Sequence, residues 1–171
     1  SDSKIMKKIE KIKKEYNQLG TRKIGTNLVD LIINDTDGNR IIRNAETNLG
    51  DFCADAFRIT TGADIGFING GGIRAELPKG EITFNSILSV FPFNNTVCVA
   101  EVLGQDILDF LELCVMSYPN ENGSFQHVSG LTFELDSSVP SSVVLDTNEV
   151  FVEVSGKRRV SNVKVLNPAS G

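Results

Sequence analysis

Arg74 stands just beyond Gly70-Gly71-Gly72, and those glycines follow a short apolar run, Ile65-Gly66-Phe67-Ile68, that reads as the end of a strand. Three consecutive glycines let a backbone take dihedrals closed to other residues and approach a ligand closely. A guanidinium at their end offers five rigid donors to phosphate, carboxylate or a base edge. On these residues alone two readings stay open: an anion or nucleotide site, or a tight turn with a solvated arginine. A second unusual stretch, Phe91-Pro92-Phe93-Asn94-Asn95, sets two aromatics around a stiff proline and follows them with two amides. Either both rings belong to the core, or one is core while the other offers a face to a planar ligand. An arginine loop beside an aromatic platform is the minimum kit for a nucleotide.

The remaining reactive residues point away from self-contained catalysis. His127 is the single histidine of the chain, which argues against a zinc or histidine-rich centre. His127 and Ser129 share a face of an expected strand, but no acid is evident beside them and no nucleophile elbow surrounds Ser129. Gly123 to Leu131 therefore reads as a structural or pocket-edge turn. Cys53, Cys98 and Cys114 form no close-spaced ligand motif and read as small buried residues, Cys98 in a strand. Asp51 and Asp55 share a helix face, where paired solvent-facing acids outweigh a metal site. Asn34 to Asn39 resembles part of a calcium loop, but the closing acid, Glu46, falls one position out of register.

The elements that must position these groups follow from pattern. Ile5, Ile9, Ile12, Tyr16 and Leu19 recur at helical spacing, lysines fill the other face, and Gly20 can stop the helix; a packed helix with a solvated basic face is expected. Ile24–Ile33 reads as a strand or strand pair. Asn48 is the expected cap of a helix over Leu49–Thr60, buried through Leu49, Phe52, Cys53, Ala56 and Phe57. Short strands are expected at Ala63–Ile68 and Glu81–Thr83, a helix at Phe84–Val90, a strand at Thr96–Val102, and a helix carrying Ile107, Leu111 and Val115. Tyr118–Gly123 reads as a loop. Val128–Leu135, Val143–Leu145, Val150–Val154 and Val160–Leu166 read as strands. Helices early and strands late favour an α+β domain with packed helices and a mixed or antiparallel sheet. Asn167–Gly171 carries no clear final element, and Ser1-Asp2 does not look like a natural start.

Composition sets the outer bounds. With 171 residues, 40% hydrophobic and 23% charged, one globular domain with a full core is expected. A net charge of −5 argues against a DNA- or RNA-binding surface, which carries clustered positive charge. No stretch is long and apolar enough for a transmembrane segment, and no signal peptide is visible.

Taken in order, the motifs become specific. Glu46-Thr47-Asn48-Leu49-Gly50-Asp51-Phe52-Cys53-Ala54-Asp55-Ala56 resembles the helix signature that opens the C-terminal domain of the 5'-nucleotidases. Asn69-Gly70-Gly71-Gly72-Ile73-Arg74 resembles that family's substrate loop. Gly80-Glu81-Ile82-Thr83, Phe91-Pro92-Phe93-Asn94-Asn95 and His127-Val128-Ser129-Gly130-Leu131 follow in the family's order, so the resemblance runs over most of the chain. It extends to UDP-sugar hydrolases and 2',3'-cyclic-nucleotide phosphodiesterases.

The resemblance implies a two-domain metalloenzyme. An N-terminal calcineurin-like metallophosphatase domain, partner to this one, would hold two divalent ions such as zinc, manganese or magnesium. The C-terminal domain, spanning 1–171 here, would bind a nucleotide or nucleotide-sugar substrate and carry no catalytic or metal-ligating residue. Arg43 and Arg74 match substrate-facing arginines, Asn69 an asparagine beside the nucleotide, Gly71 and Gly72 the substrate loop, and Phe93 one of two phenylalanines that sandwich the base. Asn95 aligns with a polar position seen in some members, and Asn94 replaces a frequent glycine. The family's Gly-Gly-Asp-Gly-aromatic segment, with the second stacking ring, is absent from this sequence. The parent would be a 5'-nucleotidase-type hydrolase, located in the periplasm, secreted or at the cell surface. The alternatives are a non-catalytic nucleotide-binding or surface module, or a partner domain related to thiosulfate oxidation.

Overall fold

The computed structural model describes residues 2–166; Ser1 and the segment Asn167–Gly171 lie outside the described residues. The elements run α1 (Asp2–Gly20), β1 (Lys23–Asn27), α2 (Asn48–Thr61), β2 (Gly66–Asn69), a 3-10 turn (Gly70–Gly72), β3 (Gly80–Thr83), α3 (Phe84–Val90), α4 (Gly104–Cys114), β4 (Gln126–Ser129), β5 (Leu131–Leu135), β6 (Val143–Leu145), β7 (Phe151–Val154) and β8 (Val160–Val165). The α+β expectation stands. The strands form antiparallel two-stranded ladders, β1 with β3, β2 with β4, β5 with β8 and β6 with β7.

Local chemistry explains the boundaries. Thr47, not Asn48, caps α2: its hydroxyl accepts from the Gly50 amide at 3.1 Å. Asp51 in the first turn and Arg58 in the last complement the helix dipole. Asn48 instead reaches sideways, accepting from the Ile32 amide and donating to the Asp30 carbonyl. The buried stripe of α2 is Leu49, Gly50, Cys53 and Ala54, so Phe52, expected in the core, is half exposed and Ala56 exposed. A single strand over Val128–Leu135 does not form. Gly130, at φ 78°, breaks it into β4 and β5, because a Cβ there would strike the Asp64 carbonyl.

Two expectations fail outright. Thr96–Val102 forms no strand, and its Val97, Val99, Cys98 and Val102 side chains are exposed. Its alternation is real, but no neighbouring strand pairs with it. The apolar stripe of α1 is not packed: Ile5, Ile12, Tyr16 and Leu19 are each more than half exposed. The helix is tied at its C-terminal end, where Gly20 lies against Asn85 of α3.

Two apolar clusters carry the fold. One joins Leu31, Ile33, Ile42, Leu49, Cys53, Ile73, Leu77 and Val90. The other joins Leu111, Val115, Leu131 and Val160, with Tyr118 and Phe125 packed against it. Polar bonds fasten α4 to β8 inside the second. Glu112, fully buried, accepts from the Val160 amide at 2.8 Å. Arg159, also buried, donates to the carbonyls of Val139 at 2.7 Å, Val115 at 2.8 Å and Tyr118 at 2.9 Å. It thereby satisfies free acceptors at the end of α4 and holds the start of the loop that follows. Replacing Arg159 with alanine should lower unfolding free energy by about 3 kcal/mol, since several buried carbonyls lose their donor at once; urea denaturation of the two proteins reads this directly.

Candidate functional site

Arg40 and Arg43 flank Ile42, which is fully buried. The Ile41 and Ile42 amides both donate to the Ile33 carbonyl, at 3.0 and 3.2 Å. Burial of the middle residue sets both arginines around one anchored point. His127 adds a strut from below: its Nε2 lies 3.0 Å from the Ile42 carbonyl oxygen, and its ring packs edge-on against Phe125. Burial holds its pKa below the usual histidine value, against the opposing pull of the Ile42 carbonyl and Glu46. A neutral ring donating from Nε2 is the form this geometry fits.

The glycine loop approaches the same point. Gly70 lies so close to Ile42 that a Cβ would collide with the Ile42 carbonyl, and a Cβ on Gly71 would sit 2.7 Å from the Gly123 carbonyl oxygen. None of Gly70, Gly71 and Gly72 has positive φ. These three glycines therefore serve close backbone approach within the protein, rather than the unusual dihedrals the sequence suggested. Residues 117–125 bind both segments together. The Asn122 amide donates to the Arg43 carbonyl at 3.0 Å, while the Gly123 carbonyl accepts from the Gly71 amide at 3.0 Å and from Asn69 Nδ2 at 2.9 Å. The Gly70 amide donates to the Phe125 carbonyl at 2.8 Å. Past the loop, buried Ile73 and the Arg74 amide, bonded to the Val90 carbonyl at 2.9 Å, set where Arg74 leaves the backbone.

The side chains then converge. Arg74 Nη1 donates to the Gly71 carbonyl at 3.3 Å, and its guanidinium lies 5.8 Å from the centre of the Phe93 ring. Phe93 is 50% exposed, whereas Phe91 packs on the first apolar cluster and against Phe57. The two rings of the Phe-Pro-Phe stretch have thus divided, one inward and one outward. Asn69, Gly72, Phe93 and Asn95 line a cavity of about 400 Å³, floored by Phe57 and Phe91. Arg43, Gly71 and Arg74 do not line it; Arg74 meets it only through its approach to Phe93, and Arg43 points toward Glu121, its Nη1 4.0 Å from the carboxylate.

Sequence reasoning missed Arg40. Its Nη2 donates to the Ile73 carbonyl at 3.1 Å, and its Nε, like that of Arg43, is buried without a protein partner. Burial, then the nearby charges of Arg43 and Arg74, hold its pKa below the usual arginine value, with Glu121 opposing. Three guanidiniums therefore share one field. The signal was available: Arg40 and Arg43 are three apart around two isoleucines, Ile41 and Ile42.

A second cavity, about 680 Å³, is lined by Glu46, Asp51, Asp55, Tyr118, His127 and Ser129 among others, and by none of the expected substrate residues. Ser129 donates to Asp55 and accepts from Arg58 Nε at 2.6 Å, so an acid does stand beside this serine. His127 bonds elsewhere, and no serine–histidine pair forms. Burial, followed by the charge of Glu46, a hydrogen bond to Glu46 and the charge of Asp55, pushes the Asp51 carboxyl up to about 6. Asp51 is therefore not the simple solvated acid expected.

The pattern of the 5'-nucleotidase C-terminal domain matches residues 23–169. The chain belongs to that family. The 5'-nucleotidase C-terminal domain here is 38% identical over 145 residues to the trifunctional nucleotide phosphoesterase YfkN of Bacillus subtilis, covering 81% of this chain and 10% of that protein. It is 30% identical to a 5'-nucleotidase of Vibrio cholerae, covering 79% of this chain and 24% of the relative. Its fold matches the crystal structure of a 5'-nucleotidase precursor from Thermus thermophilus at TM-score 0.68 and 32% identity, over 83% of this chain and 29% of the other. The chain thus spans between about a tenth and a third of the proteins it matches. A nucleotide-related domain is what these likenesses establish.

Two divalent ions do not fit the donor set of this domain. Among the described residues, no group of three or more His, Cys, Asp or Glu is placed to hold a metal. Asp55 is bonded to Ser129, and burial pushes the Cys53 and Cys114 thiols up to about 12. Among the described residues, no helix is long and apolar enough to cross a membrane.

The raised Asp51 pKa has a signed consequence. Between its unfolded value near 4 and its folded value of about 6, the native state holds the extra proton, so stability falls as pH rises through that window. Asp51→Asn should remove this loss: the variant gains stability relative to the parent at pH 7 and the difference closes at pH 4, measured by denaturation at both pH values.

Proposed function

We propose that this domain binds a nucleotide, holding its phosphate with Arg40, Arg43 and Arg74 and its base with Phe93. The observation that carries this reading is the Arg74 guanidinium beside the half-exposed Phe93 ring, within the field of two further arginines. Guanidiniums stabilise phosphate through charge-assisted, forked hydrogen bonds. The exposed ring offers any base a stacking face without selecting among hydrogen-bond patterns. Asn69 and Asn95, at the cavity wall, supply polar contacts around the ring, and Gly72 gives close access to backbone. The domain orients its ligand and breaks no bond, since the described residues present neither a nucleophile–base pair nor a metal ligand set.

In a longer protein, the reaction served would be metal-assisted hydrolysis of a nucleoside 5'-phosphate or a UDP-sugar, with the metal-bearing groups on a calcineurin-like domain. That protein would work in the periplasm, outside the cell or at its surface. As a unit, 1–171 would be its substrate-binding domain.

Titration of the chain with AMP, UMP and UDP-sugar, followed by ¹⁵N chemical-shift mapping, tests this. Shifts should gather at Asn69–Arg74 and Phe93. Arg74→Ala should weaken AMP and inorganic phosphate alike, by about tenfold. Phe93→Ala should weaken AMP roughly fivefold and leave inorganic phosphate unchanged. Shifts confined to the Asp51–Ser129 cavity, or equal binding by the Arg74 variant, would overturn the assignment.

A further inference from the structure

We propose that Glu121 is a built-in counter-ion that sets how much phosphate charge the arginine cluster accepts; this rests on the nucleotide-binding reading above. Arg43 and Arg74 both act on Arg40, and Glu121 is the carboxylate that stands beside Arg43 and opposes them at Arg40. Three positive charges and one negative leave a net of two, the charge of a phosphate monoester dianion.

The geometry makes Glu121 a displaceable partner. Its Oε2 stands 4.0 Å from Arg43 Nη1, beyond hydrogen-bond reach, and its side chain is 45% exposed. The backbone around it, by contrast, is fastened. Asn120 donates to Ser117 at 2.9 Å, Asn122 to the Arg43 carbonyl at 3.0 Å, and Phe125 to the Asn122 carbonyl at 3.0 Å. The carboxylate is thus delivered by its loop to the edge of the cluster without being locked to it. Meanwhile the Nε atoms of Arg40 and Arg43 remain buried and unpartnered. A phosphoryl oxygen is an acceptor of the type those donors lack, and it would reach them only as the guanidiniums turn outward with the departing carboxylate.

Binding would then be an exchange: phosphate enters as the Glu121 carboxylate turns out to water. Removing that charge should tighten anions generally, and the more highly charged ones most. A net of three positive charges suits a diphosphate better than a monophosphate.

The test compares the wild-type chain with Glu121→Gln, Glu121→Asp and Arg43→Ala, titrated with inorganic phosphate, AMP and ADP. Arginine Nε–Hε signals and the amides of residues 69–74 report binding. Glutamine is nearly isosteric and leaves the loop's backbone bonds in place, so a matching melting curve is expected. Glu121→Gln should tighten ADP by about three- to fivefold and AMP by less, the size an exposed charge pair supports. The gain should shrink as salt is raised, and Glu121→Asp should retain the wild-type ADP-to-AMP ratio. A purely structural Glu121 would leave that ratio unmoved. If Arg43→Ala weakens all three ligands while Glu121→Gln changes none, the counter-ion role fails and the nucleotide site stands. If none of the ligands shifts these signals in wild type or Glu121→Gln, the nucleotide reading fails and this proposal with it.

Discussion

The Gly123 carbonyl is the point on which the candidate site depends. It accepts from the Gly71 amide and from Asn69 Nδ2, while the neighbouring Asn122 amide donates to the Arg43 carbonyl. Two segments distant in sequence, one bearing Arg40 and Arg43 and the other bearing Arg74, are thereby fixed against a common loop. Neither segment is regular secondary structure through its arginines, so no ladder or helix would hold them in place unaided. The loop is itself fixed from the other side by Arg159, whose guanidinium gathers carbonyls at the end of α4. A buried cation thus fastens the start of the loop against which the other arginine-bearing segments rest. The energetics follow: backbone amides buried at such a junction cost several kcal/mol if unpaired, and here each has a defined partner.

Glycine at positions 70 and 71 belongs to the same constraint. Any side chain would push the loop from Ile42 or from Gly123. The tight approach that looks designed for a ligand is first required by the protein's own backbone. Burial of Ile42 and Ile73 completes the arrangement, putting apolar anchors directly beside Arg43 and Arg74.

Much of this was legible in the sequence where the signal was local. The helices at Phe84–Val90 and around Leu111 follow from periodicity, and Thr83 with Ser86 caps the first of them. The motif order led to the family, and Arg74, Phe93 and Asn69 fall around one corner. What stayed illegible was whatever depends on a distant partner. Thr96–Val102 alternates like a strand, yet alternation does not supply a neighbour to pair with. The stripe on α1 has the spacing of a buried face, yet spacing does not say what covers it. Arg40 and Glu121 join the cluster through tertiary approach alone. Arg159 reads as one of three basic residues in a polar turn, and its burial comes from carbonyls scattered over three other segments.

The pairing of the strands has a temporal meaning. β6 and β7 are near neighbours in the chain, Val143 facing Val154 across a short hairpin. β1 meets β3 with Lys23 opposite Thr83, and β2 meets β4 with Gly66 opposite Ser129. Contacts between remote partners close large loops before they return any stabilisation, so they form late and slowly. The arginine corner is joined by such contacts, those of residues 122–125 with Arg43 and with Asn69–Gly71. The β6–β7 hairpin can close on its own local contacts, whereas the corner that gathers Arg43, Asn69 and Arg74 against residues 117–125 has to wait for remote segments to meet, so its completion reports the fold as a whole rather than any one element.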